Sequence, residues 1–168
     1  MRRWELSWRE RPPEEAAHFN PAFCGELISR TVTSYHQGNG AAIPLALTFL
    51  VLPLVLHPVT RRALPGRSNT TFESWSAQNE DILVNVPERV LALRPITREA
   101  LLFLAQLGSI DISSVGVALG HHPIRMPARM AIATEETQEI RRKAGLIGRW
   151  FAFQPAPAAI LQAMGVRI

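Results

Sequence analysis

The stretch Gly40–Leu56, GAAIPLALTFLVLPLVL, limits the fold more than any other part of the chain. It carries no charged residue. A helix apolar on every side belongs inside a core or inside a membrane. A membrane span wants about 20 apolar residues. This run is shorter, contains Pro44 and Pro53, and is followed closely by His57, Arg61 and Arg62. We therefore expect a buried central helix over about 43–56. Pro53 should kink it, because the ring removes one backbone bond and clashes one turn back. A membrane anchor is the alternative, and it requires 40–56 to face lipid.

The flanking segments supply helices to wrap it. Asn20-Pro21 is a strong helix start, since Asn caps free amides and proline suits the first helical position. Phe23, Leu27, Ile28 and Tyr35 follow at helical spacings, and His36-Gln37-Gly38-Asn39-Gly40 should stop the helix. This predicts a helix over 21–36. Pro58 opens a short helical turn, 58–64, and 65–70 (PGRSNT) is a loop by composition. Thr70 or Thr71 caps the next apolar stripe, which Pro87 should divide into 71–85 and 87–94. Pro95 should end it, leaving Thr97 to cap a helix over 98–107 that stops at Gly108.

At Ile110 the period changes from helical to two. Ile110-Asp111-Ile112 and Val115–Leu119 alternate, which points to a β-hairpin around Ser113-Ser114. Arg129–Ala133 could add a third strand. Thr134, with Glu135 and Glu136 behind it, starts a helix over 134–153. Pro155 and Pro157 open a last one, stopped at Gly165. The fold class is mainly α with a small β-hairpin, or wing. Three helices followed by a hairpin across 71–119 resemble a winged helix, and the winged-helix-like part would extend over about 71–133. The organisation expected is a lead-in over 1–15 and a single mostly helical domain over 16–168.

The N-terminal charges cancel and no apolar signal core is present, so the lead-in is read as cytoplasmic. Trp4 and Trp8, four apart, suit a short amphipathic helix there. Eighteen basic residues against fourteen acidic ones leave +4, and Lys143 is the sole lysine. That excess is mild, so most charge should be solvated surface. The groups worth testing as partner or nucleic-acid contacts are Arg61, Arg62, Arg125, Arg129, Arg141, Arg142, Lys143 and Arg149.

Catalytic, cofactor and metal residues are not expected. There is no G-x-S-x-G elbow, P-loop or H-E-x-x-H motif. His121 and His122 are adjacent and would point apart on an extended segment. Cys24 sits in an apolar segment, where a buried structural thiol is the plain reading. Helix 98–107, REALLFLAQL, is too apolar to read bases and is built for burial or protein contact. Any DNA contact would be sequence-independent, to phosphate, and would need Arg125, Arg129 and Arg141–Lys143 on one surface beside the wing.

One resemblance covers about 16–165. Its first part is Phe19–Phe23, then Pro44–His57, Thr60-Arg61 and Leu64-Pro65. Its second is Leu93–Leu101 and its third Leu146–Ala152. In order and spacing these resemble the middle component of bacterial three-component ABC-ATPase systems. The resemblance implies a small non-catalytic protein, encoded between an ABC/SMC-like ATPase and a third component, acting against phage or plasmid DNA. The reading it favours is an adaptor working by protein contact; the alternative is a winged-helix DNA-binding regulator. A homo-oligomer is compatible with either reading.

Overall fold

The computed structural model describes residues 10, 19–125 and 133–167. The expected lead-in over 1–15, apart from Glu10, and the helix around Trp4 and Trp8 lie outside the described residues. So does 129–132 of the expected third strand, and Ala133 is not in a strand.

Helix α1 is Pro21–Asn39. The Asn20 side chain accepts from the Ala22 amide at 2.8 Å. The helix runs past the predicted stop at 36 because Gly40, not Gly38, takes the left-handed turn (φ 71°), with its N–H donating to His36 O. Helix α2, Leu45–Val55, continues through Pro53, and 47–55 are all buried. From Leu47 onward it is covered by protein on every side, as an all-apolar helix requires. No helix among the described residues is long and apolar enough to cross a membrane. Helix α3 is Pro58–Ala63.

The next segment departs from expectation. Helices α4, Phe72–Gln78, and α5, Glu80–Leu83, precede one long helix α6, Val86–Gln106. The breaks fall at Asn79 and at Val84-Asn85, not at Pro87 and Pro95. Pro87 lies in the first turn of α6, where a missing N–H costs nothing. Pro95 lies inside α6. An interior proline costs about 3 kcal/mol. Val86 and Val90 before it, and Ile96, Ala100, Leu101 and Leu104 after it, are buried. Each such apolar burial contributes about 1.5–3 kcal/mol, so packing on both flanks outweighs the proline. The expected separate helix 98–107 is therefore the C-terminal half of α6.

The expected hairpin forms, with its turn at Ser114-Val115 and not at Ser113-Ser114. Strands β1, Ile110–Ser113, and β2, Gly116–Leu119, pair antiparallel with Ile112 opposite Val117. Val117 also exchanges both backbone bonds with Ile43, at 3.0 and 2.8 Å, which pins the hairpin to the entrance of α2. Gly116 permits this approach: a Cβ there would lie 2.4 Å from Ile43 O. Helix α7 is Glu135–Phe153, capped by Thr134, and α8 is Pro157–Ala163.

The most extensive packing is α1 on α7, with α6 on another side of α1 and α2 packed against α6. A Cβ on Gly148 would lie 2.3 Å from Thr31 O, so glycine sets the α1–α7 approach. Thr31 Oγ1 donates across it to Ala144 O at 2.9 Å, sharing its proton with Leu27 O at 3.1 Å. Trp150 on α7 stacks on Phe72 and meets Trp75 edge-on, with centroids 5.1 and 5.0 Å away. Its Nε1 donates to Thr70 O at 2.8 Å, and Trp75 Nε1 donates to Ala63 O at 2.7 Å. The loop between α3 and α4 is thus held at both ends by indole groups. Among the described residues the buried apolar side chains other than Leu146 form one cluster, from Cys24 to Val166.

Candidate partner interface

Arginines are the side chains from which this surface has to be built, and of those singled out in the sequence Arg61 and Arg141 are committed within the fold. Arg61 lies on α3 and is only 2% exposed. Its Nη1 donates to Val55 O at 2.9 Å, satisfying a carbonyl that the end of α2 leaves open. Nε donates to Glu139 at 3.0 Å and Nη2 to Glu136 at 2.8 Å, both on α7. One guanidinium thus ties the α2–α3 corner to α7.

The run Arg141-Arg142-Lys143 parts in three directions, as the helical rotation of about 100° per residue dictates. Arg141 turns onto α1, gripping Glu26 at 2.7 and 2.9 Å, with its guanidinium 5.6 Å from the Phe23 ring centre. Glu26 also accepts from Arg30 at 2.9 Å. Lys143 donates to Leu64 O at 3.3 Å. Burial pulls its pKa below the usual lysine value; Glu139 opposes this and Arg142 adds to it. Arg142 is exposed.

The structure brings Arg61, Arg62 and Arg142 to one groove, but Glu135, Glu136 and Glu139 line it too. Three cations face three carboxylates, so the groove offers no basic field to a polyanion. Arg149 is exposed about two turns beyond Arg142 on α7, and Arg125 is exposed after the hairpin. Arg129 lies outside the described residues.

Arg89 was missed in the sequence. From α6 it donates to Thr60 Oγ1 at 2.7 Å, Asn85 O at 3.2 Å and Ile82 O at 3.4 Å. Thr60 therefore turns its own proton to His57 Nδ1, 2.9 Å away, which also accepts the Thr60 amide at 3.3 Å and caps α3. Burial, then the charges of Arg89 and Arg61, hold the His57 pKa below 6.5. No local signal marks Arg89, because all that distinguishes it is its approach to a distant threonine.

His121 and His122 are both exposed, and no metal-sized group of three His, Cys, Asp or Glu occurs among the described residues. Cys24 is fully buried. The 98–107 stretch is less completely buried than its composition suggested. Ala100, Leu101 and Leu104 point into the core, while Leu102 is 59% exposed. Leu91, on the same helix, is 62% exposed.

No curated protein and no solved structure matches the chain. A family model does match it, over residues 8–168: ABC-three component (ABC-3C) system Middle Component 3. With virtually its whole length inside that match, the chain belongs to the Middle Component 3 family of ABC-three component systems.

Proposed function

We propose that the protein is a non-catalytic adaptor. It joins the ABC/SMC-like ATPase to the third component of its system, by protein contact, in the bacterial cytoplasm and in defence against phage or plasmid DNA. The family match over residues 8–168 carries this reading. The charge placement supports it. Arg61 and Arg141 are consumed in ion pairs within the fold, and Arg62 and Arg142 share a groove with three glutamates. Such a distribution suits protein recognition better than binding along a phosphate backbone, which needs clustered, uncompensated cations.

Co-expression with the two neighbouring components, followed by mass measurement of the purified assembly, tests it. The expected result is a stable complex that contains this chain and the ATPase, and the mass counts the copies of each. A chain that ignores both components but shifts duplex DNA in a salt-dependent way would replace the adaptor with the DNA-binding regulator.

A further inference from the structure

The outward face of α6 carries a feature that the fold does not use. Leu91, Arg94, Arg98 and Leu102 fall at i, i+3, i+7 and i+11, so they form one stripe along the helix. At 1.5 Å per residue the stripe is about 16 Å long. Both leucines are more than half exposed, and both arginines are exposed. Neither arginine forms a hydrogen bond or ion pair among the described residues. Arg61, Arg89 and Arg141 make two or three each. Beside the stripe lies a cleft of about 860 Å³, lined by Pro21, Pro95, Glu99, Phe103 and Gln106 as well as by stripe residues.

We propose that this stripe docks an acidic amphipathic helix from another component of the same system. The inference rests on the adaptor reading and names the surface and the partner's chemistry. Apolar ends and a cationic middle call for a helix with apolar anchors about three turns apart and carboxylates between them. Such a helix would cover Leu91 and Leu102, and its carboxylates would meet two forked guanidiniums. Phosphate would satisfy the arginines but leave both leucines in water, so the apolar ends favour a protein occupant over nucleic acid. The cleft gives the larger anchor a place to enter next to Phe103.

The test uses the full chain with the purified ATPase and third components, measuring affinity at low and high salt. Leu91→Gln, Leu102→Gln and the pair Arg94→Glu/Arg98→Glu are compared with Arg67→Glu, an exposed cation on the loop before α4. All these positions are exposed, and a thermal melt of each variant checks folding. Each leucine change should weaken binding about tenfold, as loss of an anchor does. The double charge reversal should weaken it at least as much and invert its salt dependence, because added salt then screens a repulsion instead of an attraction, and Arg67→Glu should leave it unchanged. If the wild type binds a component and the α6 variants bind equally well, this face is wrong and the adaptor reading stands. If only the charge reversal matters, the occupant is not an amphipathic helix. Binding of duplex DNA, lost on charge reversal, would assign the stripe to nucleic acid instead. If the wild type binds neither component, both readings fall.

Discussion

At the scale of single residues, the charged groups divide into those that hold the fold and those exposed to solvent. Arg61 belongs to the first class. Its guanidinium reaches three acceptors in different directions, which a lysine ammonium on a flexible stem cannot match. Arg61→Ala strands the Val55 carbonyl and the half-buried Glu139. It should lower stability by about 1–3 kcal/mol, read as a shift in urea midpoint, and Arg61→Lys should recover only part. His57 acts as an acceptor. Its folded pKa lies below the unfolded value near 6.5, so the unfolded chain binds more protons just below that pH. The stability from this cap is complete above pH 6.5 and is lost as pH falls through the lowered folded pKa. An NMR titration should place the His57 midpoint below 6.5. His57→Asn should keep the cap without that pH dependence, and His57→Ala should cost about 1 kcal/mol.

At the scale of elements, two positions show packing overruling local preference. Gly148 lies within α7, where alanine would be favoured by about 1 kcal/mol on propensity alone. A Cβ there would meet Thr31 O at 2.3 Å, so α1 and α7 would have to separate. Gly148→Ala should therefore destabilise, by about 1–3 kcal/mol, as overpacking outweighs the propensity gain. A melt that rises on this substitution would show the interface to be looser than described. Pro95 is the opposite case. It deprives Leu91 O of its helical donor, yet α6 continues because both halves bury apolar residues. Pro95→Ala should raise the melting temperature, with a gain of up to about 3 kcal/mol in chemical denaturation.

At the scale of the whole molecule, Trp150 links the longest helical contact to the loop between α3 and α4. Trp150→Ala should cost about 3–5 kcal/mol. Trp150→Phe keeps one ring of the packing, loses a donor to Thr70 O, which still accepts from Gln154 Nε2 at 3.2 Å, and leaves the space of the missing ring empty, so its cost should be about 1–3 kcal/mol. Denaturation followed by far-UV circular dichroism separates the two. Much of the architecture was legible beforehand because its causes are local. Asn20-Pro21, Thr71 and Thr134 cap the helices they precede through atoms two or three residues away. The alternation after Ile110 marks the hairpin, and the uniform apolarity of 47–55 marks its burial. The arginine surface was not legible in the same way. Arg61 finds its glutamates 75 and 78 residues along the chain, and Arg141 finds Glu26 at 115. Whether Pro95 would end a helix depended likewise on what lay against both its flanks. The amino-acid order by itself determined the caps, the hairpin and the buried α2, since those forces act within a turn or a strand pair. Only the tertiary structure decided which cations are neutralised and which, on α6, have no partner among the described residues, because ion pairing and burial depend on which distant elements meet.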